Sequence, residues 1–150
     1  MKKLLGIVVL GLLLCGNAYS ENINLKCEDP KVNIPMSVVI DQQNKVVSWQ
    51  GSVPDHYHYE NGVFSFSMRT ETYKYSYRLN RNTGTLRINA FKFSKEEFDK
   101  ILSDVVDEMQ AAGKTYKDKS FMAKSIVNRY DEENPEDTIF MECEKVKAKF

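Results

Sequence analysis

Three consecutive segments in the middle of the chain, Val63–Arg69, Tyr73–Leu79 and Thr85–Phe91, alternate apolar with polar residues. Successive side chains of a strand point to opposite faces, so each segment predicts a strand with one buried face and one wet face. Asn61–Gly62 favours a tight hairpin turn before the first segment, because both positions tolerate positive φ. Arg81–Gly84 predicts the turn before the third. The pattern predicts an antiparallel meander.

Further strands are predicted on both sides of this meander. On the N-terminal side they are Ile23–Cys27, Met36–Ile40, Lys45–Gln50 and Tyr57–Glu60, and the last strand is Thr138–Val146. The predicted fold class is α+β, mostly β: an antiparallel meander that curls into a small barrel or sheet. Closure of such a sheet would remove its exposed edges.

One packed helix is predicted before the last strand. Ser94 and Glu97 form a capping box at its start, and Gly113 is a natural stop after its end. A second, short helix is predicted over Ser120–Tyr130 from apolar residues four apart. The first helix has a continuous apolar stripe at helical spacing: Phe98, Ile101, Leu102, Val105 and Met109.

The N-terminus has the three parts of a secretory signal peptide. Lys2 and Lys3 precede an uncharged run over Leu4–Cys15, and Ala18–Ser20 ends in small residues suited to cleavage. The run of about 12 residues is too short for a hydrocarbon core of ~30 Å. We therefore expect cleavage after Ser20, a single β-rich domain over residues 21–150, a periplasmic or secreted product, and only transient membrane contact. Lipoprotein processing at Cys15 is the alternative.

Removal of the signal peptide leaves two cysteines, Cys27 and Cys143, near the ends of the mature chain. Exported proteins meet oxidising conditions, so a disulfide between them is expected. In both predicted strands the cysteine shares a face with apolar neighbours, which places both thiols inward.

Charge and composition exclude several classes of protein. The 21 basic and 21 acidic side chains balance, and loss of residues 1–20 leaves a slight acidic excess. A general nucleic-acid binder needs a basic excess, so nucleic acid is not an expected partner. An apolar content of 42% argues against disorder, and 150 residues are too few for two ordinary domains.

Two groups of side chains are candidates for binding. His56 and His58 share one face of a predicted strand, the spacing that a divalent metal uses, but no third ligand is identifiable. Tyr73, Tyr75 and Tyr77 form a row that either packs in the core or presents a surface for a flat ligand. The basic residues of the same hairpin are expected on a solvated face: Lys74, Arg78, Arg81 and Arg87.

The chain lacks a nucleophile motif of the Gly-x-Ser-x-Gly type and a glycine-rich phosphate loop. We therefore expect a protein that is not an enzyme and has no cofactor. The leading hypothesis is a non-catalytic binding module for a small ligand or an envelope protein. A structural or stress factor of the envelope and a metal-binding protein are the alternatives.

The segment Tyr77–Leu86 resembles a hairpin of small exported bacterial β proteins of uncharacterised function, which carry a signal peptide and one cysteine near each end. This resemblance covers the hairpin and the two cysteines, and it implies fold and compartment rather than activity. A second similarity is to periplasmic inhibitors of lysozyme, which are small disulfide-tied β barrels. No segment matches their inhibitory loop, so no functional residue is carried over.

Overall fold

The structure, a computed structural model, describes residues 22–31, 35–50, 52, 55–131 and 134–146. The predicted signal peptide, with Cys15, lies outside the described residues. Nine strands and two helices form within the described ranges. In chain order they are β1 (Ile23–Glu28), β2 (Pro35–Asp41), β3 (Val46–Trp49), β4 (Asp55–His56), β5 (His58–Glu60), β6 (Val63–Arg69), β7 (Tyr73–Asn80), β8 (Thr85–Lys92), α1 (Lys95–Ala111), α2 (Lys119–Asp131) and β9 (Asp137–Lys145).

All nine strands belong to one antiparallel sheet with the order β4-β3-β2-β1-β9-β8-β7-β6-β5. The first and last long strands, β1 and β9, are neighbours in its centre. The two edge strands, β4 and β5, are consecutive in the chain and only Tyr57 separates them. The sheet is therefore curled into a nearly closed barrel, and the predicted fold class is confirmed. Both predicted helices are present before the last strand, the second over Lys119–Asp131.

The strand predicted over Tyr57–Glu60 is present from His58 onwards as β5, and the short strand β4 precedes it. Tyr57 splits β4 from β5, because it turns into the core, where only 7% of it is exposed. Its ring meets Phe64 edge-on, with the centroids 5.1 Å apart. Before the split, Asp55 pairs with Val47 of β3, and after it Glu60 pairs with Val63 of β6.

Glycines hold the two predicted turns of the meander. Gly62 has φ +82°, and Asn61 before it has φ +52°, as the predicted tight turn requires. Gly84 has φ +70°, and a Cβ atom there would lie 2.7 Å from the carbonyl oxygen of Cys143. The amide of Cys143 donates to the carbonyl of Gly84 at 2.7 Å, so this turn is fixed against the last strand.

The predicted disulfide between Cys27 and Cys143 is present. The two residues face each other directly in the β1–β9 register, with their Cα atoms 3.9 Å apart. Both lie on the inner face of the barrel, as the sequence pattern predicted. The two cysteines are 116 residues apart in the sequence. The chain-entropy model assigns a large stabilisation to a disulfide that closes so long a loop, because the bond restricts the unfolded chain.

Inside the barrel, one continuous core collects the inward residues of every long strand. Trp49, Phe66 and Tyr77 form its centre, and the rings of Phe66 and Tyr77 stack at 4.7 Å and 3°. Burial of apolar side chains at roughly 25 cal/mol per Å² is the main stabilising force here. The remaining fully packed members are Cys27, Val38, Ile40, Val47, Tyr57, Phe64, Leu79, Leu86, Ile88 and Met141.

The helices form a second apolar cluster outside the barrel. The side chain of Ser94 accepts a hydrogen bond from the Glu97 amide at the start of α1, and the Phe93 and Phe98 rings lie 6.0 Å apart. The buried stripe of α1 packs with Tyr130 of α2 and with Phe91 of β8. Within the described residues, neither helix is long and apolar enough to cross a membrane.

The prediction of a wet outer face on the meander is wrong. Helix α2 covers that face, so Ser65, Lys74 and Ser76 are 5%, 1% and 1% exposed. The ammonium group of Lys74 lies 5.1 Å from the centre of the Tyr130 ring and 5.7 Å from that of Phe91. The alternating polar residues of the meander therefore form a surface that α2 buries, not a surface that is exposed to solvent.

Asp131, at the end of α2, connects this polar surface to the helix. Its carboxylate accepts hydrogen bonds from Ser76 Oγ at 2.8 Å and from Arg78 Nε at 2.5 Å. Arg87 Nη2 lies 3.5 Å from the same carboxylate. Arg78 and Arg87 face each other across β7 and β8, where two like charges repel. One carboxylate between them offsets that repulsion and ties α2 to the sheet.

Candidate functional site

The inner face of the barrel ends in an open cleft of about 330 Å³, which we call the apolar mouth. It lies at the end of the barrel where β2, β7 and β9 begin. Ligand pockets of proteins commonly start at about 300 Å³, so the volume suits one small molecule. The residues that line it are Asp29, Met36, Trp49, Tyr75, Tyr77, Ile88, Ile139 and Met141.

Three aromatic rings give the apolar mouth its shape. The ring of Tyr77 lies 5.2 Å from that of Trp49 at an angle of 57°, and 6.2 Å from that of Tyr75 at 42°. Phe66 stacks behind Tyr77 and holds that ring in place. Because Trp49 and Tyr77 are almost fully buried, their exposed atoms form a rigid, preformed surface for a ligand.

Of the described residues that line the apolar mouth, one has a charged side chain, Asp29. The carboxylate oxygen Oδ1 accepts a hydrogen bond from the Lys31 amide at 2.8 Å, which orients the group. Burial raises the pKa of the Tyr77 hydroxyl, and the nearby Tyr75 raises it further. The site therefore combines neutral aromatic surface with a single negative charge.

The structure separates the three tyrosines that the sequence singled out. Tyr75 and Tyr77 line the apolar mouth, whereas Tyr73 is 37% exposed and lies beside Tyr75, with their rings 6.2 Å apart. Trp49 and Asp29 were not predicted as site residues. The side chains of β3 alternate between the two faces of the sheet, and Trp49 is on the inward face. This alternation could have identified Trp49, since it directs the ring into the same interior as the tyrosine row.

The two histidines lie on different strands but line the same second cleft, away from the apolar mouth. His58 Nδ1 lies 3.2 Å from Ser120 Oγ, and Nε2 lies 3.5 Å from a carboxylate oxygen of Glu60. Lys124 donates to the same oxygen of Glu60 at 2.9 Å, and this contact together with His58 holds the pKa of the Glu60 carboxyl below its usual value. In the described part of the chain, no group of three or more His, Cys, Asp or Glu side chains is arranged to hold a metal ion.

The described residues of the apolar mouth therefore form a concave surface of aromatic rings with one carboxylate. Such a surface can hold a ligand by non-covalent contacts. Comparisons of the chain with protein-family models, with curated proteins and with solved structures gave no match. The resemblance to small exported β proteins stays a prediction.

Proposed function

We propose that the protein is a non-catalytic binding module that holds a small ligand in the apolar mouth. The observation that carries this proposal is a cleft of about 330 Å³ at the end of an otherwise filled barrel, lined by Trp49, Tyr75 and Tyr77. Buried aromatic rings that are fixed by neighbours lose little conformational entropy on binding, which favours affinity.

The chemistry of the lining indicates the class of ligand. Aromatic ring faces attract cations through their quadrupole, and Asp29 adds a full negative charge beside them. The described residues of the lining offer no positive side chain to an anion. A compact apolar molecule with a cationic end, such as an aryl or alkyl ammonium, fits this combination.

The fluorescence of Trp49 tests the proposal directly, because Trp49 is the only tryptophan of the chain and lines the site. Three probes of similar shape are titrated into the purified protein: phenyltrimethylammonium, neutral tert-butylbenzene and anionic benzenesulfonate. We expect a saturable fluorescence change, with the cation bound most tightly. The same titration of Tyr75→Ala and Asp29→Asn should show affinity for the cation reduced by about tenfold, which corresponds to about 1.4 kcal/mol.

Tyr116→Ala is the matched control, because Tyr116 is 69% exposed and does not line the cleft. Its titration should equal that of the unmodified protein. A fluorescence change that stays linear for all three probes, or an equal loss in Tyr75→Ala and Tyr116→Ala, contradicts a ligand site at the mouth. The protein would then be better described by the alternative of an envelope structural or stress factor.

We also propose that the protein works outside the cytoplasm. The disulfide between Cys27 and Cys143 supports this, since such bonds form and persist in oxidising compartments. Expression in a bacterium followed by fractionation should place the protein in the periplasm, with an N-terminus at Glu21. An acylated N-terminus at Cys15 would favour the lipoprotein alternative, and an uncleaved cytoplasmic chain would contradict export.

A further inference from the structure

A second cleft, of about 470 Å³, lies outside the barrel between the β2–β3 turn, strands β4 and β5, and the start of α2. We call it the cationic cleft. Strand β2 begins at the apolar mouth and ends at the β2–β3 turn, roughly 20 Å away at the rise of a strand. The two sites are therefore separate. The basic groups that line the cationic cleft are Lys45, His56, His58, Lys114, Lys117 and Lys119.

The charges of this cleft are strongly unbalanced. Among the residues that the structure describes, four ammonium groups line it against one carboxylate, that of Asp118. Asp118 Oδ2 already accepts a hydrogen bond from the Thr115 amide at 2.8 Å. Within the described ranges, none of the four lysines forms an ion pair with a carboxylate. In a chain whose formal charge is zero, this concentrates positive potential at one concave place.

Three separate segments bring these lysines together, so the cluster is a product of the fold rather than of one basic run. Lys45 belongs to the β2–β3 turn, Lys114 and Lys117 to the connection between the helices, and Lys119 begins α2. Lys45 has φ +55°, a conformation that glycine and asparagine adopt more readily. The ammonium group of Lys119 lies 5.9 Å from the Tyr116 ring.

Hydrogen-bond donors complete the lining. Ser120 and Phe121 of the first turn of α2 line the cleft, and amides of a first helical turn have no partner inside the helix. The imidazole of His56 adds a further polar group to the lining. Both ring nitrogens of His58 are engaged, with Ser120 and with Glu60, and the contact with Ser120 fixes the edge of β5 against α2.

We propose that the cationic cleft binds a phosphate group that carries two or more negative charges. Lysine contacts phosphate as a point charge from several directions, so four ammonium groups around one cavity suit a compact polyanion. A carboxylate with a single charge would engage the cluster less strongly. The group has two possible sources, a free phosphate compound or the headgroup of an anionic phospholipid, and the experiment separates them.

Calorimetric titration of the purified protein with sodium pyrophosphate, in a buffer free of phosphate, tests the site. We expect saturable binding that weakens as salt is added. The variant Lys117→Gln/Lys119→Gln keeps most of the side-chain length and removes two charges. Lys45→Asn removes a third charge and places a residue that tolerates positive φ. Each variant should bind pyrophosphate at least about tenfold more weakly than the unmodified protein.

Lys95→Gln/Lys100→Gln is the matched control, because both side chains are exposed on α1 and neither lines the cleft. Its affinity should stay within about twofold of the unmodified protein. Sedimentation with phosphatidic acid vesicles forms the second arm, with the same variants. Lysine-dependent binding of vesicles alone assigns the lipid headgroup as the source, and lysine-dependent binding of pyrophosphate assigns a free phosphate compound. Binding of neither probe, or equal losses in the cleft and control variants, overturns the proposal.

Discussion

The two faces of strand β7 differ in how they are buried. On the inner face, Tyr77 and Leu79 are packed by other apolar side chains of the barrel. On the outer face, Lys74 and Ser76 are equally inaccessible to water, but they lie beneath helix α2 among polar and aromatic groups. The comparison shows that alternation along a strand distinguishes the chemistry of the two faces, while burial depends on what the rest of the chain places over them.

The two faces also differ in how their stability is distributed. Apolar packing inside the barrel is spread over many contacts, and the disulfide adds a covalent bond between β1 and β9. The polar surface outside depends on one carboxylate, Asp131, which contacts Ser76, Arg78, Arg87 and Asn89. We therefore expect large effects from changes inside the barrel and smaller, salt-dependent effects from changes outside it.

The largest effect is expected from removal of the disulfide. The variant Cys27→Ala/Cys143→Ala should lose about 4 to 5 kcal/mol of unfolding free energy, since the unfolded chain is no longer constrained by a loop of more than 100 residues. Urea unfolding with and without reductant measures this. Reductant should lower the stability of the unmodified protein to that of the variant and leave the variant unchanged. Equal stability of both proteins without reductant would contradict the expectation.

Truncation in the inner core is expected to come next. Phe66→Ala should cost about 3 to 5 kcal/mol, because the ring is 1% exposed and its removal leaves a cavity beside Tyr77. Phe140→Ala is the control on the outward face of β9, where the ring is 56% exposed, and it should change stability by less than about 0.5 kcal/mol. Similar losses in the two variants would mean that the inner face is not the more tightly packed one.

On the outer face, Asp131→Asn should lower the unfolding free energy by about 1 to 2 kcal/mol. The amide keeps the size of the side chain but leaves Arg78 and Arg87 facing each other without a carboxylate between them. The side chain of Arg78 is 32% exposed, so added salt should reduce the loss. Asp107→Asn, on the exposed side of α1, is the control and should be neutral. A loss in Asp131→Asn that is independent of salt would instead indicate a packing defect.

The smallest effect is expected at alkaline pH. Burial raises the pKa of Tyr77 above its ordinary value near ~10, so the unfolded chain releases this proton first as pH rises. The stabilisation is fully present below about pH 10 and declines above it, by about 1 kcal/mol near pH 10.5. The unfolding free energy of Tyr77→Phe should decline less over the same range. Parallel pH curves for the two proteins would show that the Tyr77 hydroxyl ionises as readily in the folded state as in the unfolded one.

Local signals in the sequence were sufficient for most of the fold. The Asn61–Gly62 turn and the Ser94 cap each depend on a short pattern with a direct physical cause. The pairing of Cys27 with Cys143 needed only the count of two cysteines after the expected cleavage. The break at Tyr57 had no such signal, because an aromatic residue in an alternating run is equally compatible with a continuous strand.

The candidate sites were less accessible from sequence, because they depend on contacts between distant segments. Tyr75 and Tyr77 were named from their alternation, but Asp29 joins them only because β1 and β9 are adjacent in the sheet. The lysines of the cationic cleft are spread over more than 70 residues of sequence, between Lys45 and Lys119. Nothing in their local patterns distinguishes them from solvated lysines elsewhere.

Strands β4 and β5 are the two edges of the sheet, and the chain passes directly from one to the other. Where other neighbouring strands are held by hydrogen bonds, these two edges are held by the backbone of one buried residue, Tyr57. Because β4 and β5 do not pair with each other, no hydrogen-bonded ladder between them can slip or be lost. Tyr57 connects the two edges covalently, and they can move apart there only if its ring leaves the core. We therefore expect the barrel to open first between other strands.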